Sequence, residues 1–558
     1  MTPSLILGRR PDGAVVLSTS IALPLPLPLA LDDIATRLRG WADRDPDRVL
    51  ISAMTREGRR SVTYAQALAE ARQLRGRLTA AGFSPGARIA SLLPAGIDGL
   101  RLRLACLLGG FVHIALPPYP FRAAQSCPPA EGEAARLWRT VKPDLLIVPD
   151  GHCLAGKGSA RTLQDLPHEG PNLPDHDGTP HEWSAIFFTA GSTGASKGVP
   201  VTRGMIASCQ AACAAMWPFL QERPPVLIDW MPWNHVFGGL DNLFKVIWNG
   251  GTLHLAPPPS AEGMGDMLDL MAAAAPTMSI GVPLGLRLIL DAYDADADRV
   301  AAGFRSQSHI FFAGAAMEPA LWERLARFRA DMERRLGNGL AVLSGYGATE
   351  AASTMCLAPE GVKTPGILGW PLPGHEVALV PVDGRNEIRF RGPNLAPCYL
   401  TEDGEIPLPL DEHGFYRTGD AGLLEGDVLR FDGRISEDFK LSSGIKVRSG
   451  VLRAQIMSHI PHLADDIVLG GEGRDGLVAL VFARGQATLE QIAGALAGWN
   501  RANPGSSTAI TRVALADFVP DARSGEVSAK GQIVQSRVLK NRAALFAALS
   551  DGESGLAP

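Results

Sequence analysis

From about residue 31 onward the hydrophobic positions alternate between helical spacing and short continuous apolar runs. Leu31–Arg44 and Tyr64–Ala81 carry apolar residues at helical intervals, and Gly82 with Pro85-Gly86 ends the second helix. Ala87–Leu93 then reads as a strand, Gly96–Leu108 as a helix, and Phe111–Leu116, Leu145–Val148 and Ala185–Thr189 as further strands. The alternation continues with strands at Val226–Met231, Gly251–Leu255, Met278–Val282, His309–Ala313 and Leu340–Ser344. Helices are expected at Asn242–Trp248 and Met264–Ala274. Repeated strand–helix units predict parallel sheets covered by helices.

Beyond about 370 the spacing changes to short strands with turns, in HEVALVP, NEIRFRG, GFYRTGD and DVLRFDGR. This predicts an antiparallel β subdomain over 370–433. Past Gly433-Arg434, strands at Ile467–Leu469 and Leu477–Phe482 and a helix at Leu489–Trp499 predict a compact α+β module. The expected organisation is an irregular leader (1–30) ending in a proline-rich run, a large N-terminal α/β domain (31–433) and a small, mobile C-terminal α+β domain (434–558).

Composition narrows the class. With 53 basic and 58 acidic residues among 558, the net charge is −5, which leaves no electrostatic footprint for nucleic acid. The seven cysteines form no CxxC pair, so neither a disulfide framework nor a structural zinc site is expected. The uncharged stretches Val15–Leu31 and Leu104–Phe121 are broken by prolines and glycines, so no membrane span is expected. No secretory signal is legible at the N-terminus. The simplest expectation is a cytosolic enzyme, for which a homodimer remains open.

Phe187–Val199 reads FFTAGSTGASKGV: a buried strand, a Gly/Ser/Thr-rich turn, a lysine, then the helix-like Arg203–Ala215. Glycines admit backbone N–H groups to an anion, Thr189, Ser192 and Thr193 add hydroxyl donors, and Lys197 adds charge. The pattern suits a phosphate grip, although a plain surface turn has the same composition. It is not the NTPase P-loop, because Ser196 stands where that motif needs its second glycine. Gly471-x-Gly473-x-x-Gly476 matches a dinucleotide fingerprint, but a strand follows it where a helix is required, so it reads as a hairpin turn.

The loop has companions in fixed order: TAGSTGASKG (189–198), PWNHVFGG (232–239), AGAA (313–316), GYGATE (345–350), YRTGD (416–420) and GRISEDFK (433–440). The set resembles the adenylate-forming superfamily of acyl-CoA synthetases, nonribosomal adenylation domains and luciferases, over about residues 35–545. Within it the chain is most similar to the feruloyl-CoA synthases, through PPVLIDWMPWNHVFGG, GATE followed by Ala351-Ala352, SEDFKLSSG and AKGQI. The resemblance implies ATP, Mg²⁺ and the co-substrate coenzyme A, with a hydroxycinnamic acid such as ferulate, p-coumarate or caffeate. Alternatives are a medium-chain fatty acid or benzoate, a carrier-protein acceptor, or a non-catalytic nucleotide-binding homologue.

Residue by residue, the resemblance implies that Thr189, Ser192, Thr193, Gly194 and Lys197 hold the β/γ-phosphates. Thr349 would contact the α-phosphate and Glu350 would ligate Mg²⁺. Tyr346, beside Gly347, would stack on adenine against the backbone of Gly314, Ala315 and Ala316. Asp420 would accept both ribose hydroxyls and Arg434 would close over the ribose. His235 would orient the acyl carboxylate and gate the thiol tunnel. Phe237, Gly239, Asn242, Gly281, Val282 and Pro283 would wall the acyl pocket, the glycines around 238 and 281 opening a flat slot for an aryl group. Each of Tyr346, Asp420 and Arg434, taken alone, also suits a core, turn or surface position.

Two departures stand out. The superfamily's C-terminal lysine follows a glycine, whereas here the order is Ala529-Lys530-Gly531-Gln532. Anchored on the glycine, Gln532 replaces the lysine; anchored on the lysine, Lys530 keeps it, and only Lys530 offers charge to an α-phosphate. At the hinge, Ser436 stands where members carry Asp or Lys.

Overall fold

The computed structural model describes residues 3–24, 33–55, 57–122, 124–190, 196–314, 317, 319–337, 339–521, 524–527 and 533–558. Two large sheets form the N-terminal domain. In the first, Arg88–Ser91 pairs in parallel with Val112–Ala115 and Leu145–Ile147, and Val112–Ala115 pairs in parallel with Trp183–Ala190. These strands are apolar on both faces because helices cover both; Ile89, Ala90, Ile114, Leu146 and Ile186 are buried. Trp183–Ala190 turns back into the antiparallel Ser196–Thr202, which continues to Tyr399–Thr401.

In the second sheet Met278–Gly281, His309–Ala313 and Ala341–Tyr346 run parallel, side by side. Cys356–Leu357 and Ile367–Pro371 then join it antiparallel and carry it into Val428–Arg434, Tyr416–Glu425, Arg385–Arg391 and Glu376–Val382. The antiparallel strands expected as a subdomain are therefore a continuation of the same sheet. A smaller sheet of Val226–Asp229, Thr252–Leu255, Val49–Thr55 and Gly58–Thr63 completes the domain.

The leader expected to be irregular is not irregular where the structure describes it. Leu5–Arg9 and Val15–Thr19 form an antiparallel hairpin whose second strand pairs with Glu376–Val382. Leu17, at the centre of the second strand, anchors it: its side chain is fully buried while the other four residues are half-exposed. Arg10 then bonds Asp411 at 3.1 Å, and Arg389 holds the same carboxylate at 2.9 Å. The prolines at 26 and 28 lie outside the described residues.

Past Arg434 a short 3₁₀ turn, Ile435–Glu437, contains Ser436 and leads into a second body. Its strands Ala464–Gly470, Leu477–Ala483 and Ile510–Leu515 form one sheet, with Leu489–Ala502 packed against it. Arg385 of the large sheet crosses the connection, bonding Asp432 at 3.1 Å on one side and Asp438 at 2.7 Å on the other. Among the described residues no helix is long and apolar enough to cross a membrane.

Candidate active site

Three motifs meet where the first sheet's hairpin faces the end of strand Ala341–Tyr346. The chain leaves that strand through Gly347, where a side chain is impossible: an added Cβ would lie 1.7 Å from the carbonyl oxygen of Ser353. Thr349–Ala351 makes one 3₁₀ turn, and Ala352 (φ 49°) and Ser353 (φ 101°) reverse the chain in the left-handed region, a strained path for residues with a Cβ. The path is held from outside. Buried Asn394 donates from Nδ2 to the carbonyls of Ala351 (2.9 Å) and Thr354 (2.8 Å).

That turn buries Thr349 and Glu350. The Tyr399 hydroxyl donates to Glu350 Oε1 at 2.7 Å and lies 3.1 Å from the Tyr416 hydroxyl. Lys197 Nζ stands 4.6 Å from the Tyr399 ring centroid, so lysine, carboxylate and phenols form one cluster. Burial first, and the Glu350 carboxylate second, push the phenols of Tyr399 and Tyr416 far above their ordinary values, so both remain protonated. Glu350 fits one share of a magnesium site: a buried carboxylate supplies hard oxygen, and a bound triphosphate would supply more. Tyr399 and Asn394 carry no motif of their own, and Tyr416 opens the YRTGD motif.

The Gly/Ser/Thr-rich loop differs from the sequence expectation in one respect. The expected helix is present as Arg203–Met216, but before it Lys197 lies on a strand, Ser196–Thr202, opposite Thr189 of Trp183–Ala190. The strand is buried continuously from Gly198 to Val201, and Thr202 caps the helix Arg203–Met216, its Oγ1 accepting from the Met205 N–H at 3.1 Å. Thr189 and Lys197 thus lie on two paired antiparallel strands rather than at a helix N-terminus. Ser192, Thr193 and Gly194 lie outside the described residues.

At the next corner, both oxygens of buried Asp420 are already engaged. Tyr346 donates its hydroxyl to Oδ2 at 2.7 Å, and Arg434 Nε reaches Oδ1 at 2.9 Å. Burial and then Asp420 raise the Tyr346 phenol well above its usual value, while Asp420 raises the Arg434 guanidinium. The carboxylate expected to accept two ribose hydroxyls therefore holds protein donors here. Gly314 (φ 80°) follows Ala313, which pairs with Gly345, the residue before Tyr346. Ala315, Ala316 and Lys530 lie outside the described residues.

The glycines around 238 do not open a slot. An added Cβ on Gly238 would lie 2.8 Å from Met231 O, and one on Gly239 would lie 2.3 Å from Trp233 O. Their missing side chains let a six-residue π-helical turn, Phe237–Asn242, press against residues 231–233. Asn242 is likewise structural in its contacts, donating from Nδ2 to Asp229 Oδ1 at 3.0 Å. Gly281 is different: its added Cβ would sit 3.7 Å from the Trp230 ring, an ordinary contact. Val282 is buried and Pro283 opens the helix Pro283–Ala295. Phe237 meets Phe311 edge-on at 6.0 Å, and beyond it the buried Lys245 Nζ donates to Asp241 at 2.6 Å.

Comparison with known proteins gives the family and the fold. Residues 38–400 match the model of the AMP-binding enzyme family, and the chain belongs to that family. It is similar to the mitochondrial malonate–CoA ligase of Mus musculus, 25% identical over 317 residues, covering 51% of this chain and 52% of the relative. It is also similar to a probable 4-coumarate–CoA ligase 2 of Dictyostelium discoideum, 25% identical over 296 residues, covering 51% of this chain and 50% of that one. Each alignment thus spans about half the relative's length. The o-succinylbenzoate CoA synthetase of Bacillus subtilis, solved with its acyl-adenylate, superposes with a TM-score of 0.70 at 18% identity, covering 90% of this chain and 97% of that one. The fold is the adenylate-forming fold, a large N-terminal α/β domain followed by a smaller C-terminal domain of mixed sheet and helices.

Proposed function

We propose that this chain is an ATP-dependent acid–CoA ligase that adenylates a hydroxycinnamic acid and passes the acyl group to coenzyme A. The observation that carries the reaction class is the convergence of Lys197, Glu350, Tyr399 and Tyr416, drawn from separate stretches of chain into one cluster beside Asp420. The observations that favour an aryl acid are the feruloyl-type motif variants and the aromatic and aliphatic surroundings of Trp230, Phe237 and Val282.

In the first half-reaction a carboxylate oxygen of the acid bonds to the α-phosphorus of ATP and the bond to the β-phosphate oxygen breaks, releasing pyrophosphate. Positioning and charge neutralisation supply most of the catalysis. Thr189, Ser192, Thr193, Gly194 and Lys197 hold the β/γ-phosphates, Thr349 lies at the α-phosphate, and Glu350 is the residue that would hold magnesium. The metal, when bound, neutralises phosphate charge. His235 orients the acid's carboxylate, and Lys530 brings a positive charge to the α-phosphate as negative charge builds there. Asp420 receives the ribose once the nucleotide displaces the Tyr346 hydroxyl. In the second half-reaction the thiolate of coenzyme A bonds to the acyl carbon and AMP leaves. The small domain, beginning at about Arg434, rotates between the two steps about Ser436.

The test is pyrophosphate release and thioester formation with a panel of acids. Ferulate or p-coumarate is expected to give the highest kcat/KM. A larger value for octanoate, benzoate or malonate would remove the hydroxycinnamate assignment while keeping the ligase. Thioester formation only on a carrier protein would replace coenzyme A as acceptor. Nucleotide binding without pyrophosphate release from any acid would identify a non-catalytic homologue.

A further inference from the structure

The segment from Asp229 to Asn242 carries His235, and two buried charges of opposite sign hold it without pairing with each other. Asp229 gathers donors. Its Oδ1 accepts from the Met231 N–H and from Asn242 Nδ2, both at 3.0 Å, and Oδ2 faces Trp233 Nε1 at 3.4 Å. Arg103, on helix Ile97–Gly109, gathers acceptors. Its Nη2 donates to the carbonyl of Trp233 at 3.0 Å and its Nη1 donates to the carbonyl of Gly239.

Arg103 is only 5% exposed, and among the described residues no carboxylate lies within ion-pair distance of it. Its guanidinium lies 5.5 Å from the Phe187 ring centroid and 5.7 Å from that of Trp233, and Nε has no partner. Burial pulls its pKa down to about 10, which leaves it charged at neutral pH. Desolvating a buried guanidinium is expensive, and no carboxylate among the described residues offsets it. What the guanidinium provides instead is geometry, because its two carbonyl partners bracket His235.

Inside that bracket the imidazole is fixed by the backbone. The Gly239 N–H donates to the His235 carbonyl at 2.8 Å, and the His235 N–H donates to Pro232 at 3.1 Å. The Phe237 N–H donates to His235 Nδ1 at 3.3 Å, so the neutral ring carries its proton on Nε2. We infer that Arg103 is a positioning residue for His235: by gripping the loop at Trp233 and Gly239 it holds the imidazole so that Nε2–H meets the carboxylate of the acid. This inference rests on the ligase reading above.

The experiment is a double-mutant cycle in acid-dependent pyrophosphate release, with Arg103→Met, Arg103→Lys, His235→Ala and the two combinations. Displacing a substrate-orienting group by about 1 Å can cost ~10²-fold, so Arg103→Met is expected to lower kcat/KM for the acid by about ten- to a hundredfold. KM for ATP is expected to stay within about threefold of wild type. Arg103→Lys is expected to recover part of the loss by reaching one carbonyl, and in the His235→Ala background neither change should cost more than about threefold. Full additivity of the Arg103 and His235 losses would overturn the inference, as would a parallel fall in ATP affinity and melting temperature. If Arg103→Met fails to fold, the cycle is read from Arg103→Lys. A wild type inactive with every acid would sink the ligase reading; an active wild type with additive losses sinks only the role of Arg103.

Discussion

The Tyr346 hydroxyl is bonded to Asp420 at 2.7 Å, so the residue expected beneath adenine is tied to the residue expected beneath ribose. With Arg434 on the other oxygen, each carboxylate oxygen already holds one protein donor before any nucleotide arrives. A ribose hydroxyl that takes the site held by Tyr346 exchanges one hydrogen bond for another at this corner rather than adding one.

Removing the phenol makes this measurable. Tyr346→Phe keeps a ring for stacking and frees Asp420 Oδ2. AMP and ATP are expected to bind several-fold more tightly, within the ~10-fold that about 1.4 kcal/mol allows for one charge-assisted bond no longer broken. Titration calorimetry against wild type checks the sign. Weaker binding would mean that the hydroxyl contacts the nucleotide itself.

Glu350→Gln preserves shape and removes the charge beside Lys197 and Tyr399. Loss of a preorganised electrostatic contact costs ~10²–10³ in kcat, and that is the expected range at saturating Mg²⁺. Tyr399→Phe removes only the donor to Glu350 and should cost far less. Near wild-type turnover of Glu350→Gln would place the metal elsewhere.

The Lys530 assignment is tested by separating the half-reactions. Lys530→Ala is expected to abolish acid-dependent pyrophosphate release while retaining thioester formation from synthetic acyl-AMP and coenzyme A. Gln532→Ala should leave both intact. The reverse pattern would show that the alignment anchored on Gly531 is the right one.

A buried histidine gives a pH signature. His375 donates from Nδ1 to the Pro373 carbonyl at 2.8 Å and stacks on Phe390, and burial lowers its pKa to about 4. The folded value lies below the ~6.5 of an unfolded histidine, so the unfolded chain binds the extra proton between those values. Stability from this group is present above about pH 6.5 and is lost as pH falls toward 4, with a slope of at most ~1.4 kcal/mol per unit. Asp229, which burial raises to about 6, acts in the opposite direction over part of that range. The measurement is therefore the difference in unfolding free energy between wild type and His375→Gln from pH 4.5 to 7.5. A constant difference would show that His375 titrates normally.

The parallel strands were legible because burial on both faces leaves an apolar run that no local context disguises, as in Leu145–Ile147 and His309–Ala313. The N-terminal hairpin was not, because Val15–Thr19 finds its partner, Glu376–Val382, hundreds of residues away and the prolines nearby dominate the local pattern. In the site, Lys197, Glu350 and Asp420 stood in recognisable motifs. Asn394, Tyr399 and Arg103 did not, since each acts through bonds to distant backbone or to a partner side chain, and nothing in the flanking sequence marks such a bond; Asp229 stood inside PPVLIDWMPWNHVFGG, but its hold on Asn242 and Trp233 was not legible there. Gly238 and Gly239 were misread for a related reason: a glycine reports close approach without saying whether ligand or backbone approaches.

The hairpin at residues 5–19 also has a bearing on how the protein can be handled. It occupies the outer edge of the large sheet, and the Arg10–Asp411 contact holds it there. Trimming those residues as a dispensable extension would leave Glu376–Val382 as a bare seven-residue edge with a row of unpaired backbone groups. Such an edge invites pairing between chains, so a shortened protein would be expected to self-associate and precipitate even with every group of the nucleotide site intact.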